Sequence, residues 1–263
     1  MNIIACIKQV PDTEAIIRTD ATNPSKIVER DIKFILNPYD EYAIEESLRI
    51  KEKTGNGEIT IITIGPERSE TAIRDGLAMG ADNAIRIWDD TLADIDPFTT
   101  ALLLSKTISQ MEYDLIICGK QAIDDDYIQT PSILAELLSI PQIQFITSQE
   151  INTSERTITC TQEIDGGRRT VRAKLPVVIT TPKGLNEPRY PSLRGKMQAK
   201  KKEIPVKSLK DLGITENVMD LIKIKTMKLS PPPSRKAGRI LEGEPEEVVI
   251  ELIRLLREEA KVL

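Results

Sequence analysis

The chain has 263 residues, of which 40% are apolar and 29% are charged, and its formal net charge at neutral pH is -5. These values are typical of a globular protein, and the acidic balance excludes the basic footprint of a general nucleic-acid binder. The sequence contains no histidine, which excludes Ser-His-Asp and Cys-His nucleophilic systems, histidine metal sites and imidazole acid–base chemistry.

Short apolar runs alternate with amphipathic segments over the first two-thirds of the chain. The runs predicted as buried strands are Ile3–Ile7, Glu58–Ile64, Ala84–Trp88, Leu115–Cys118 and Val177–Thr180. The helical patterns between them are Pro38–Lys53, Glu67–Met79, Pro97–Gln110 and Pro131–Leu138. Strands that alternate with helices predict an α/β fold, with an open, mostly parallel sheet and helices on both faces. Asn37, Asp96 and Thr130, each directly before a proline, are expected to cap three of the helices.

The later part of the chain follows a different pattern. Segments Phe145–Ile151, Thr157–Ile164 and Arg169–Ala173 read as strands, and the turn Asp165–Gly167 predicts an antiparallel hairpin that extends the sheet. Residues 185–263 carry several prolines and end in an amphipathic helix predicted over Pro245–Lys261. We therefore expect an α/β domain over residues 1–184 and an extended C-terminal arm over residues 185–263. The helix is expected to dock either on a partner or on the chain's own sheet.

The cysteines and the N-terminal residues bear on compartment and on metal binding. Cys6, Cys118 and Cys160 are odd in number and far apart, so neither a disulfide framework nor a zinc site is predicted. Each lies in an apolar or strand-like run, where a free thiol packs as a small hydrophobe. Apolar runs stay shorter than the roughly 20 residues that a membrane span needs, and a signal-peptide pattern is absent at residues 1–6. We expect a cytoplasmic protein.

The most informative segment is the loop Gly119–Thr130, which follows a predicted strand and opens the next helix. Ligands of open α/β sheets bind outside the carboxyl ends of the strands, and a helix N-terminus offers free N–H groups to an anion. Gly119 permits close approach of the backbone, and Gln129 and Thr130 can donate to a phosphate. A polar crossover loop with a good helix cap has the same pattern, so both interpretations stay open.

Acidic residues complicate a phosphate site in this loop. Asp124–Asp126 would repel a phosphate, so we expect their carboxylates to face a ribose, solvent or neighbouring loops, while backbone amides hold the phosphate. Asn37–Asp40 forms a second candidate segment, provided that both loops lie at the same sheet edge. Cys6 and Ile64 would then form an apolar floor for adenine. Helix capping and core packing account for the same residues.

The loop and several other stretches resemble one protein family. Gly119–Asp126 with Gln129 and Thr130 is similar to the AMP-binding loop of electron-transfer flavoprotein β subunits. Further stretches that resemble this family are Ala78–Asp82, Glu163–Gly167, Lys174–Pro176, Leu185–Tyr190 and Met197–Lys202. The matching stretches occur in the same order as in the family, from Lys8 to about Gly213. Only the residues after Gly213 differ freely from the family's sequences.

The resemblance implies an adenine nucleotide hydrolase-like fold, a structural AMP in this chain, and a partner α subunit that holds most of the electron-carrying FAD. The residues that correspond to the family's nucleotide site are Cys6, Asn37, Pro38, Tyr39, Asp40, Ile64, Gly119, Lys120, Gln121, Ala122, Ile123, Asp124, Asp125, Asp126, Tyr127, Ile128, Gln129 and Thr130. Because the redox chemistry belongs to the flavin, no catalytic residue is predicted in this chain.

A partner surface is also implied by the resemblance. Pro188–Lys200 corresponds to the family's recognition loop, whose exposed Leu193 would insert into an apolar pocket of a partner dehydrogenase. The resemblance also implies that Arg189, Tyr190 and Met197 contact the partner beside Leu193. The alternative is a linker in which Leu193 packs against the α subunit.

Other members of the family and other classes of protein remain as alternatives. Some relatives hold a second FAD in place of AMP and bifurcate electrons from NADH; they tend to carry Asp-Gly-Asp-Thr where this chain has Asp124–Tyr127, so AMP is favoured. Ile128 and Leu193–Met197 depart from the AMP-type pattern. Adenylating enzymes of this superfamily need a glycine-rich loop after the first strand, whereas Lys8–Thr13 has no glycine. An ATP-binding stress-protein dimer would not explain the long arm.

Overall fold

The computed structural model describes residues 1–233 and 238–263, and over these ranges the chain forms twelve strands and seven α-helices. The strands are β1 (Ile3–Cys6), β2 (Gln9–Pro11), β3 (Phe34–Leu36), β4 (Ile59–Ile64), β5 (Asn83–Ile87), β6 (Leu115–Gly119), β7 (Gln142–Ile143), β8 (Ile146–Asn152), β9 (Thr157–Ile164), β10 (Gly167–Lys174), β11 (Val177–Thr181) and β12 (Val206–Lys207). The helices are α1 (Pro38–Thr54), α2 (Glu70–Met79), α3 (Pro97–Ile108), α4 (Thr130–Leu137), α5 (Leu193–Lys201), α6 (Val218–Leu221) and α7 (Pro245–Glu258).

The central feature is a parallel sheet with the strand order β12-β5-β4-β1-β6-β11-β7. The chain runs from β1 outward through β4 to β5 and then returns to β6 on the other side of β1, so the strand order reverses at β1. The strands in the middle are rich in isoleucine and buried along their length, except for the half-buried Ile64 at the end of β4, as expected where helices cover both faces. The predicted open α/β fold is confirmed.

Two apolar cores lie on opposite faces of the sheet. Alternate residues of β1 enter different cores, because successive side chains of a strand point to opposite faces: Ile3 belongs to the core beneath α1 and α2, and Ile4 to the core beneath α3 and α4. Ile44 and Leu103 are fully buried on these two faces. This sandwich fixes the carboxyl ends of the strands at one edge.

The predicted hairpin is present as β9 and β10, joined at the turn Asp165–Gly166, and β8 pairs antiparallel with β9. These three strands form a sheet of their own beside the parallel one. Ile146, Ile158 and Cys160 anchor this second sheet in the core beneath α1. A short antiparallel pair, β2 with β3, lies next to the end of β1.

Part of the predicted arm packs closely on the α/β layers. Strand β12 extends the parallel sheet beside β5, and Leu212, Ile214 and Val218 are buried in the core beneath α3. In contrast, α7 has no buried residue among those described. The division of the chain at residue 184 stays a prediction. Over the described ranges, no helix is long and apolar enough to cross a membrane.

The prediction that Pro188–Lys200 is a loop is wrong for the second half of this segment, because residues Leu193–Lys201 form helix α5. Ser192 caps this helix, and its Oγ accepts the Gly195 N–H at 2.9 Å. A Cβ at Gly195 would lie 2.4 Å from the Ala78 carbonyl oxygen, so the glycine allows α5 to pack closely on α2. The prolines lie before the helix and do not interrupt it.

Candidate functional site

A cavity of about 600 Å³ opens at the carboxyl ends of β1, β4, β5 and β6, beside the point where the strand order reverses. This is the edge at which open α/β sheets bind their ligands. The predicted nucleotide residues that line the cavity are Cys6, Asn37, Asp40, Ile64, Gly119, Gln121, Ala122, Asp124, Asp125, Tyr127, Ile128, Gln129 and Thr130. The predicted residues that lie outside the lining are Pro38, Tyr39, Lys120, Ile123 and Asp126.

Asn37 joins the start of α1 to the candidate loop. Its side-chain Nδ2 donates to the Gln121 carbonyl oxygen at 2.9 Å, and its Oδ1 accepts the Ile123 N–H at 3.3 Å. The residue is 1% exposed. The prediction that this side chain caps α1 is wrong, since these bonds direct it to the loop. Asn37 therefore connects the candidate segment Asn37–Asp40 to the candidate loop Gly119–Thr130, as a single binding site formed by both segments requires.

Asp40 makes a second connection from α1 to the strand ends. Its carboxylate accepts the Lys8 N–H at 2.7 Å and the Gly119 N–H at 3.2 Å, so it ties together the backbone that leaves β1 and β6. Burial raises the pKa of Asp40 to about 7, although the hydrogen bonds from Lys8, Asn37 and Gly119 oppose this increase. The carboxyl group is therefore part protonated near neutral pH.

A glycine is required at position 119 because the first turn of α1 lies very close to the end of β6. A Cβ at this position would lie 2.2 Å from Asp40 Oδ1 and 2.8 Å from the Tyr39 carbonyl carbon. Contacts below about 3 Å would push the first turn of α1 away from β6. Lys120 follows directly, but its ammonium lies over the Tyr39 ring at 4.9 Å, outside the cavity.

Lys8 neutralises the two loop aspartates that line the cavity. Its Nζ donates at 2.8 Å to both Asp124 Oδ1 and Asp125 Oδ2. Burial alone would lower the pKa of Lys8, but the two carboxylates outweigh it and raise the pKa. The third aspartate, Asp126, accepts a hydrogen bond from Gln121 Nε2. Asp124 and Asp125 therefore face a neighbouring loop, one of the arrangements that the sequence predicted, whereas Asp126 bonds within its own loop.

The end of the loop presents the start of α4 to the cavity. Asp126 and Ile128 have positive φ angles of 51° and 60°, which turn the chain sharply before the helix. Thr130 was predicted as the helix cap, but it is the first residue of α4, and Gln129 holds the cap position. Both residues line the cavity. Pro131 has no N–H, and the N–H groups of Ser132 and Ile133 donate to the Gln129 carbonyl oxygen. An anion at this end would therefore meet the N–H and the hydroxyl of Thr130.

Several lining residues were missed by sequence reasoning. Arg68, which follows β4, is stacked over the Phe34 ring at 3.7 Å, and its Nη1 donates to Gln9 Oε1 at 2.7 Å. Trp88 and Leu104 line the side of the cavity formed by the end of β5 and by α3. The signal that could have found Lys8 is its place directly after a predicted strand, and for Arg68 it is a place at the start of the predicted helix that follows another strand. The cavity thus has a polar side near Lys8 and α4 and an apolar side.

The predicted partner residues lie away from this cavity, on and before α5. Tyr190, Leu193 and Met197 are 97%, 83% and 65% exposed. Leu193 and Met197 are four residues apart on the helix, so they share a face. The side chain of Arg189 instead packs against helix α1, where its guanidinium forms ion pairs with Glu45 at 2.8 Å and with Glu52. Three of the four residues are therefore exposed, two of them on one face of α5, and Arg189 anchors the segment before the helix.

Comparison with known proteins identifies the family of this chain. A family model described as electron transfer flavoprotein domain matches residues 25–212. The chain is 42% identical to an electron transfer flavoprotein subunit beta of Bacillus subtilis, over 100% of both chains. It is 38% identical to the subunit of the same name from Thermoanaerobacterium thermosaccharolyticum, over 97% of this chain and 98% of that one. The corresponding Megasphaera elsdenii subunit is 34% identical over 96% of each. This chain belongs to the electron transfer flavoprotein family, among its β subunits, and takes part in electron transfer.

Proposed function

We propose that this chain is the β subunit of a heterodimer that carries electrons from flavoprotein dehydrogenases, such as acyl-CoA dehydrogenases, to a quinone reductase or another acceptor. The α subunit holds most of the FAD, which supplies the redox chemistry when bound, and this chain holds a structural AMP. The observation that carries the proposal is the cavity at the strand-order reversal, with Asn37 and Asp40 joined to the candidate loop. We place the complex in the cytoplasm.

The residues present fit an adenine nucleotide. A cavity of about 600 Å³ lies within the roughly 300–1,000 Å³ that small ligand and cofactor sites occupy. Cys6 and Ile64 offer an apolar floor for a purine, and Thr130, at the start of α4, offers its N–H and its hydroxyl to a phosphate. The ion pairs of Lys8 with Asp124 and Asp125 reduce the repulsion that these carboxylates would exert on a phosphate. Nucleotide at this place would bridge the ends of β1, β6 and α4, a structural role.

Two variants distinguish predicted site residues that line the cavity from predicted site residues that lie outside it. Thr130→Val removes a hydroxyl from the cavity lining at nearly constant volume and should lower the AMP retained through purification severalfold. Lys120→Met is the matched control, since Lys120 lies outside the lining and should keep its nucleotide. AMP released by denaturation is measured by chromatography. Full retention in Thr130→Val together with loss in Lys120→Met would contradict the site.

A second FAD in the same cavity is the alternative, and one observation favours it. The cavity continues past the nucleotide loop to Trp88, Leu92 and Leu104, so its apolar side has room beyond an AMP. Such a complex would be an electron-bifurcating one that oxidises NADH. We rank AMP first because Asp124–Tyr127 departs from the Asp-Gly-Asp-Thr of bifurcating relatives. An ATP-hydrolysing or adenylating enzyme ranks last, since Lys8–Thr13 has no glycine to hold a pyrophosphate.

Two exposed apolar surfaces supply the partner contacts in this proposal. The face of α5 with Leu193 and Met197, together with Tyr190, would meet a dehydrogenase. The apolar residues of α7, among them Ile250 at 71% exposure, would be covered by the α subunit. The helix leaves its apolar side open instead of packing it on the chain's own sheet, which supports docking on a partner.

Electron transfer is tested with the purified αβ complex. An acyl-CoA dehydrogenase with its substrate should reduce the flavin of the complex, seen as loss of flavin absorbance, and a quinone reductase should reoxidise it. The complex without dehydrogenase is the control. A complex whose flavin stays oxidised with every dehydrogenase of the source organism would sink the proposed carrier role.

A further inference from the structure

Cys6 and Cys118 lie side by side on the floor of the cavity. They are register partners on the adjacent parallel strands β1 and β6, so their side chains point to the same face of the sheet. Both belong to the core beneath α3 and α4, and both line the cavity. Adjacent strands are about 4.8 Å apart, within the roughly 4.4–6.8 Å between Cα atoms that a disulfide spans.

The two cysteines are nearly buried beside the cavity. They are 8% and 5% exposed, and both line the cavity. A hydrogen bond with Cys6, burial, and the negative charge of Asp40 raise the pKa of Cys118 well above its ordinary value. Because the thiolate is the reactive form, this environment slows oxidation at neutral pH and predicts a rate that rises with pH.

We propose that Cys6 and Cys118 form a dithiol modification site, which a peroxide entering the cavity converts to an intramolecular disulfide. One thiol gives up its proton, and the thiolate attacks an oxygen of hydrogen peroxide. The O–O bond breaks, and the hydroxide that leaves takes up that proton, so a sulfenic acid and one water result. The sulfur of the second thiol then attacks the sulfenic sulfur, the S–S bond forms, the S–O bond breaks, and a second water leaves. The two sulfurs lose two electrons, which the peroxide gains.

The location links this chemistry to the proposed nucleotide. Cys6 and Cys118 are part of the floor on which the adenine would lie, and Gly119 follows Cys118 directly. A disulfide would cross-link β1 to β6 beneath the loop and replace two S–H groups that face the ligand. A bound AMP would in turn shield the thiols from peroxide. This link rests on the proposed function, whereas disulfide formation does not.

Cys160 provides an internal control in the same chain. It is fully buried on β9, in the opposite core beneath α1, and lies outside the cavity lining. Burial, followed by the negative charge of Glu46, raises the pKa of its thiol to about 12. Cys160 is therefore a buried thiol without the access that the cavity gives to the other two.

The test treats the full chain, in complex with its natural partner and freed of bound nucleotide, with hydrogen peroxide at mildly alkaline pH. After denaturation, free thiols are alkylated and the peptides are mapped by mass spectrometry. We expect a disulfide between the Cys6 and Cys118 peptides that dithiothreitol reduces, formed at least about tenfold faster than any loss of the Cys160 thiol. Cys118→Ser should abolish this species, and its Cys6 should be recovered as free thiol or sulfenic acid.

Equal alkylation of all three cysteines after peroxide treatment would overturn the proposal. Oxidation of Cys6 and Cys118 to separate sulfinic acids, without the linked peptide, would overturn it as well. Saturating AMP should slow formation of the linked peptide severalfold. If the disulfide forms but AMP gives no protection, the dithiol site stands, and the result counts against AMP binding in the cavity.

Discussion

Replacing Asp40 with asparagine tests whether this buried carboxyl group makes the fold sensitive to pH. Burial raises the pKa of Asp40 from 3.8 to about 7 in the folded chain. The folded state therefore keeps a proton that the unfolded chain releases at about pH 4. The stability that this group contributes is complete below about pH 4 and is lost as the pH rises through about 7.

The size of the effect follows from the difference in pKa. A difference of about three units between the folded and unfolded states corresponds to about 4 kcal/mol of free energy of unfolding. Most of it, about 3 kcal/mol, falls between about pH 5 and pH 8. Asparagine has no proton to release, so Asp40→Asn should remove this component. Its amide also leaves one N–H donor of Lys8 or Gly119 unsatisfied, which costs about 1–3 kcal/mol at every pH.

Urea unfolding between about pH 5 and pH 8 is the assay, followed by the fluorescence of Trp88, the single tryptophan. The wild-type chain should lose about 3 kcal/mol more than Asp40→Asn over this range. Asp31→Asn removes the same charge from a side chain that is 91% exposed, and it should follow the wild type. Parallel pH profiles for wild type and Asp40→Asn would refute the reasoning.

Three further substitutions test other parts of the structure. Lys8→Met leaves two carboxylates in the cavity uncompensated and should weaken AMP binding at least about tenfold by calorimetry, whereas Lys33→Met, in an exposed ion pair, should not. Gly195→Ala places a Cβ 2.4 Å from the Ala78 carbonyl oxygen and should lower the free energy of urea unfolding by about 1–3 kcal/mol; an unchanged value would show that α5 moves freely. Leu193→Ala should raise the KM for the dehydrogenase about tenfold at constant flavin content, and an unchanged KM would remove its anchoring role.

The sheet and the position of the candidate loop could be predicted from the sequence because their signals are local. The apolar runs at Ile3–Ile7 and Leu115–Cys118 and the prolines at helix starts define strands and helices one by one. A loop that follows such a strand must then lie at the carboxyl edge of the sheet. This is why Gly119–Thr130 was found without knowledge of any contact.

Contacts between distant residues could not be predicted in the same way. Lys8 pairs with Asp124 and Asp125 across more than a hundred residues, and no periodicity records such a pair. Asn37 looked like a helix cap because its neighbour is a proline, yet tertiary contacts direct its side chain to the loop. The two-residue strand β12 is too short to produce a pattern.

Helix α5 was missed for a different reason. Gly195 lowers intrinsic helix propensity, and the prolines before it suggested a loop. Packing against Ala78 of α2 outweighs the low helix propensity of Gly195, because only glycine fits at that contact. The cap residue Ser192, with Leu193 and Met197 at helical spacing, was the available signal. A recognition surface built on a helix is more rigid than one built on a loop.

The central claim is that the cavity beneath Gly119–Thr130 holds an AMP while the flavin belongs to the partner. The αβ complex is purified, denatured and filtered, and the AMP and FAD released per heterodimer are counted by chromatography. We predict one AMP and one FAD. Two FAD and no AMP would contradict the claim and identify an electron-bifurcating complex, and one FAD without AMP would show that the cavity does not retain a nucleotide.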